Sequence, residues 1–160
     1  MLYALYMKSD ALFDLFEQVF DISDKLNELN RVPQHFGVDE LVTRAEIHLV
    51  ASIARNEGRS VTELAQEKGV TKGAISQLLA KLESKGLIEK KVDPANTSRL
   101  LIGLTPKGHV ANETHDQVHE LIYNAFIDEV GELDDKQFAF LQSFFSKCQT
   151  LLNNWMDQRM

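Results

Sequence analysis

Apolar positions recur along this chain at helical spacing. Leu12, Leu15, Phe16, Val19, Leu26 and Leu29 trace one face of a long amphipathic helix over about residues 9–30. Pro33 and Gly37 interrupt that pattern. A second helix follows Thr43, which can cap it, with Glu46 three residues on as the other half of a capping box. It ends near Asn56-Glu-Gly58. Ser60 and Glu63 repeat the signature and open a short helix that stops before Gly69. Thr71 starts the next helix, carrying Ile75, Leu78, Leu79 and Leu82 along one side, and Gly86 closes it. The period then changes. Leu87–Val92 and Leu100–Leu104 read as short strands around the turn-rich Asp93-Pro-Ala-Asn-Thr-Ser98. After Thr105, with Pro106 at the first helical position, a long helix runs to about Val130. Gly131 breaks it, and Asp134 with Gln137 caps a last helix that reaches the end.

The segment Val61–Ala80 has the marks of a helix-turn-helix. Ala65 is small where a second helix must cross closely, and Gly69 sits where the chain must turn sharply, a position that suits positive φ. Ile75 and Leu78 fill the wedge between the two helices. The expected fold is therefore mostly α with a small β-hairpin wing (α+β). A winged helix-turn-helix spans about residues 41–105, between long helices at about 9–30 and 106–158, within a single domain spanning residues 1–160. The stripe Phe138, Leu141, Phe145, Cys148 and Leu152 forms a coiled-coil-like seam. Helices that apolar would be poorly covered in a monomer of this size, which predicts a homodimer.

Composition narrows the class. The longest apolar stretches are only a few residues, too short to span a bilayer, so no membrane partner is expected. The first eight residues lack a basic n-region and a small-residue cleavage site, and read as the lead-in to a helix. The single cysteine, Cys148, excludes an intramolecular disulfide and fits a reducing, cytoplasmic setting. It reads as a buried apolar side chain in preference to a redox switch. We find no Gly-rich phosphate loop, nucleophile motif or His-Glu-x-x-His, so an enzyme is not expected.

A net charge of −7 argues at first against nucleic acid, but its distribution argues for it. Residues 68–107 hold eight basic and three acidic side chains, a local balance of +5 that leaves −12 for the remainder. Such a patch can take up phosphates, although a solvated basic face would look the same. The fourth helix decides between them. Opposite its apolar stripe, Thr71, Lys72, Gly73, Ser76 and Gln77 present small and amide groups with no acid before Glu83. Gln can pair bidentately with adenine, and Lys72, Lys81 and the helix N-terminus suit phosphates. The expected partner is double-stranded DNA with a pseudopalindromic operator, read by two copies of this helix.

The chain resembles the MarR family over about residues 10–155. The residues carrying the resemblance are Leu41-Val-Thr43, Val61-Thr-Glu-Leu-Ala65, Gly69-Val-Thr71, Leu82-Glu-Ser-Lys-Gly-Leu-Ile88, Asp93-Pro94 and Leu104-Thr-Pro-Lys-Gly108. The resemblance implies a dimer whose N- and C-terminal helices interlock, and a repressor controlled by an effector bound between those helices and the winged domain. The family wing usually carries an Asp and an Arg two residues apart, the Arg entering the minor groove. Here Asn96 and Ser98 stand at those places and Arg99 comes one step later. Arg99 substitutes if the hairpin shifts by a residue; otherwise the wing contributes less.

His115 and His119 are four apart on one helix and suit a shared metal. The resemblance extends to the zinc-responsive members, which carry a His pair at this offset and another His five residues after the Thr that opens the second helix. His48, His115 and His119 match. The fourth ligand in those proteins is a Glu late in the first helix; ungapped counting lands on Asn30, and Glu28 is the nearest carboxylate. Their secondary site is not matched, because Ile47 and Thr114 stand where carboxylates are needed. Zinc is thus the implied cofactor, as corepressor. Two alternatives remain open at this point. The effector is a small lipophilic or aromatic molecule in a pocket drawing on Phe13, Phe16, Phe20, Phe36 and Tyr123; or the chain is a winged-helix protein-interaction module without DNA affinity.

Overall fold

The computed structural model describes residues 2–158. Six helices and one hairpin follow in the order α1 (Leu2–Arg31), α2 (Arg44–Arg55), α3 (Val61–Lys68), α4 (Lys72–Ser84), β1 (Ile88–Asp93), β2 (Asn96–Leu104), α5 (Pro106–Val130) and α6 (Asp135–Asp157). The α+β class and the winged arrangement expected from the sequence are both present. The first helix begins seven or so residues earlier than its apolar pattern indicates. None of the helices is long and apolar enough to cross a membrane, among the described residues.

The helix starts are set by side chains that satisfy the backbone N–H groups left over at a first turn. Thr43 and Glu46 form a complete capping box on α2, as do Ser60 and Glu63 on α3 and Asp134 and Gln137 on α6. Thr71 caps α4 by accepting from the Ala74 amide at 3.2 Å. At the other end of α3, Gly69 adopts φ +63°, the left-handed conformation that lets the chain double back into α4.

Chain contacts divide the molecule into a unit running to Gln117 and a second from Val118 onward, the division falling inside α5. The core lies in the first. Ile47, Val50 and Ile53 of α2, Leu64 of α3, Ile75, Leu79 and Leu82 of α4, and Ile102 of β2 pack together fully buried. The strands pair antiparallel from Ile88↔Leu104 to Val92↔Leu100. A lone bridge between Arg59 and Ile102 adds a third short arm to the sheet, which alternation of apolar residues could not have revealed. In the second unit, α6 has no buried residue, and Phe138, Phe145, Leu152 and Trp155 all stand more than half exposed.

One close approach holds α5 against the wing. A Cβ at Gly108 would lie 2.0 Å from the Leu87 carbonyl oxygen, so only glycine fits, whereas a Cβ at Gly103 meets nothing. Gly108→Ala should therefore lower the stability of the fold by about 1–3 kcal/mol, the usual penalty of overpacking. Gly103→Ala should change it little, and equal denaturation midpoints for the two variants would contradict this packing.

Candidate nucleic-acid interface and histidine cluster

Burial of Ile75, Leu79 and Leu82 fixes which way α4 faces. The opposite side then carries Lys72, Gly73, Ser76, Gln77, Ala80 and Lys81, all exposed together with the cap Thr71. Leu78 is half-buried against the core, at the edge of the wedge. The Thr71 hydroxyl is committed to its cap. Among the described residues, the side chains of Lys72, Ser76, Gln77 and Lys81 form no hydrogen bond or ion pair.

The rest of the basic patch behaves differently. Lys85 donates to Glu46 at 2.7 Å and to the Leu41 carbonyl at 2.7 Å. Lys90 pairs with Glu83, Lys91 with Glu89, and Lys107 with Glu40. Lys68 reaches the His48 carbonyl at 3.4 Å and Glu67 at 4.0 Å. Arg99, expected at the wing, donates from Nη2 to both Glu63 oxygens at 2.7 and 2.9 Å, and from Nη1 to Asp93 at 3.4 Å. Six of the eight cations counted in the sequence are thus tied to acids, and four of those acids, Glu40, Glu46, Glu63 and Glu67, lie outside the segment 68–107. The local excess of +5 overstated the free charge, which comes down to Lys72 and Lys81 on one helix.

The three histidines that helical spacing and the family resemblance together singled out come together. His48 on α2 and His115 on α5 face each other with ring centroids 5.3 Å apart, and His119 follows one turn later on α5. The ligand atoms of all three lie within 4.8 Å of one another. His115 is 7% exposed, its ring edge-on to Phe36 at 5.8 Å. Three imidazoles converging from two helices are a donor set that zinc accepts. Glu28 is not part of the group: it is exposed on α1, beside Lys25, Leu29 and Val32. Counting along the chain could not place it, because the loop after α1 decides where that helix ends relative to α2.

The aromatic residues grouped as a possible effector pocket differ in their surroundings within each unit. Phe36 belongs to the core of the winged unit, whereas Phe13, Phe16 and Phe20 are exposed along α1. Tyr123 lines a surface groove with Phe126, Leu133 and Phe138 in the second unit. Cys148 is half-buried on α6 within one chain.

Sequence reasoning missed the strut behind α4. Glu46 is 2% exposed, and besides Lys85 it accepts from the Thr43 amide at 2.7 Å and from the Thr43 hydroxyl at 3.0 Å. It joins the start of α2 to the end of α4, and so orients the exposed face. The capping box was legible; that the same carboxylate would also bind Lys85, thirty-nine residues away, was not.

Comparison with known proteins finds several that this chain resembles. Residues 42–99 match the model of the MarR family. An HTH-type transcriptional regulator of Bacillus subtilis, YhjH, is 22% identical over 153 residues, covering 90% of this chain and 86% of that protein. Two crystal structures share the fold. FabT of Streptococcus pneumoniae, in complex with DNA, superposes with a TM-score of 0.61 at 20% identity, covering 92% of this chain and 96% of that one. The zinc-responsive MarR family member ZitR of Lactococcus lactis has a TM-score of 0.68 at 17% identity, covering 88% and 99%.

Burial on its own raises the Glu46 carboxyl, but the Lys85 ammonium and the Thr43 amide and hydroxyl outweigh it and hold it below the usual carboxylate range. A carboxyl depressed in the fold contributes stability that is complete above its unfolded pKa of about 4.3, and is lost as pH falls through the folded value. Glu46→Gln should therefore flatten the loss of stability seen on acidification below about pH 4.3. Lys85→Met at neutral pH strands the carboxylate. Because Lys85 is partly exposed, the expected loss is about 1–3 kcal/mol, less than for a fully buried pair. Denaturant unfolding at several pH values checks both; parallel pH profiles for wild type and Glu46→Gln would rule the strut out.

Proposed function

We propose that this chain is a transcription regulator of the MarR family, which binds double-stranded DNA as a homodimer and represses, with zinc as corepressor. The observation that carries the DNA-binding reading is the exposed, uncommitted face of α4: Lys72, Ser76, Gln77 and Lys81. Gly73 adds to it. A helix glycine costs about 0.5–1 kcal/mol relative to alanine, and here a Cβ would meet only the Thr71 hydroxyl at an ordinary 3.9 Å. The fold has no packing use for that glycine; a base edge or phosphate approaching the first turn does. Ser76 and Gln77 are placed to read bases in the major groove, and Lys72 and Lys81 to hold phosphates on either side.

Dimerisation is supported by the apolar side chains that one chain leaves uncovered on α1, α5 and α6, among them Leu26, Leu29, Ile122, Phe126, Phe145 and Trp155. A twofold dimer would carry two α4 helices to half-sites about one helical turn apart, on a pseudopalindromic operator. Zinc is supported by the convergence of His48, His115 and His119. These residues would hold the ion, which supplies a cross-link between α2 and α5. Such a cross-link shifts the population toward one spacing of the two recognition helices, and zinc acts as corepressor if that spacing is the one that fits DNA.

Fluorescence anisotropy on a duplex selected from a random-sequence pool tests both parts. At fixed salt, zinc added after EDTA should tighten binding at least tenfold, and His115→Ala with His119→Ala should remove that gain without unfolding the protein. Lys72→Ala and Lys81→Ala should each weaken binding across all sequences and reduce the salt slope by about one. Equal, tight binding with and without zinc would leave DNA recognition standing and turn the effector toward an organic molecule. No binding to any duplex would favour a protein-interaction module.

A further inference from the structure

Arg99 is the one arginine of the hairpin, and the hairpin does shift around it. Val92 and Asp93 are consecutive on β1, yet their partners Leu100 and Asn96 are four apart on β2. Thr97, Ser98 and Arg99 therefore face no residue of β1, an irregularity of the kind that re-aims side chains. The shift aims Arg99 inward along the molecule. Its guanidinium grips Glu63, in the first turn of α3, by two hydrogen bonds at 2.7 and 2.9 Å, and Asp93 by a third at 3.4 Å.

Both acids are themselves held in place. Glu63 accepts from the Ser60 amide at 2.8 Å and from the Ser60 hydroxyl at 2.7 Å, completing the capping box. Asp93 accepts from the Ala95 amide at 2.9 Å, and its side chain is only 11% exposed. Lifting Arg99 away would leave two carboxylates beside each other, one of them buried, without a counter-charge. The remaining tip residues, Asn96, Thr97 and Ser98, are exposed and uncharged, and Asn96 already accepts from the Ser98 amide at 3.1 Å.

We infer that Arg99 is a positioning residue that straps the wing to α3 through Glu63, so that the wing meets DNA without an inserting arginine and base discrimination falls to α4. This inference rests on the DNA-binding reading above. It carries a consequence for specificity: the preference for a narrow, A-tract minor groove that an inserted arginine confers is absent where the wing lies.

Glu63→Gln separates strap from cap. Glutamine at this position still completes a capping box with Ser60 but has no charge to hold Arg99. Anisotropy titrations over a salt series on a selected duplex would compare wild type, Glu63→Gln, Arg99→Gln, Arg99→Lys and the double Gln variant, with a thermal midpoint for each. The strap predicts that Glu63→Gln and Arg99→Gln each weaken binding about three- to tenfold. The double variant should be no worse than either single one, Arg99→Lys should recover part of the loss, and the salt slope should stay unchanged. A slope reduced by about one unit in Arg99→Gln overturns the inference, because it marks a phosphate or groove contact. Tighter binding by Glu63→Gln overturns it too, since a released guanidinium would then have reached the DNA. So does binding unaltered by either substitution. If wild type binds no duplex, the DNA-binding reading fails separately. The strap is then judged by the thermal midpoints alone: coupled losses uphold it and additive ones overturn it.

Discussion

The burial of Ile75, Leu79 and Leu82 is the constraint from which the rest of the site follows. Three apolar side chains of one helix sit in the centre of the winged unit, against Ile47 and Ile53 of α2 and Leu64 of α3. A helix held that way can show solvent only its opposite face, so the choice of Lys72, Gly73, Ser76 and Gln77 for that face is a choice about what the helix meets. The hydrophobic term supplies the rigidity. The Glu46–Lys85 strut then keeps the end of α4 in step with the start of α2. A recognition surface built on a packed helix with both ends tied is more exactly aimed than one built on a loop.

Charge works in two ways here that the composition does not separate. Most cations near the hairpin hold one element to another: Lys107 joins α5 to Glu40, Lys90 joins β1 to Glu83 of α4, and Arg99 joins β2 to Glu63 of α3. Exposed pairs of this kind add little stability each, but they set where the wing and its neighbours lie. The cations left over are on α4, where no acid lies opposite them. An acidic protein can thus carry a small basic surface without a strongly basic segment around it.

Much of the fold was legible in the sequence because its signals are local. The capping residues Thr43, Ser60, Thr71 and Asp134 all cap the helices that their spacing announced, and Gly69 turns at positive φ. The exposed face of α4 was equally legible, since helical period alone sorts its residues. What could not be read depended on contacts distant in sequence. The Arg99–Glu63 pair joins residues thirty-six apart, and no periodicity connects them. The bridge at Arg59 is a single pair, too short to leave a pattern. Phe36 is buried in the winged unit and Phe13 and Phe20 are exposed within one chain, a difference that residue type alone does not give. His48 and His115 were brought together correctly, but only because a family resemblance supplied the long-range pairing that spacing on one helix cannot.

The central claim is that α4 reads duplex DNA from two copies of this chain. Hydroxyl-radical and dimethyl-sulfate footprinting of the protein on a duplex selected from random sequence tests it most directly. The account predicts two protected half-sites in inverted orientation, with centres about 10 base pairs apart, guanine N7 shielded in the major groove of each, and loss of that shielding in Gln77→Ala. Protection with no recurring sequence, or a footprint confined to the minor groove and indifferent to Gln77, would contradict it.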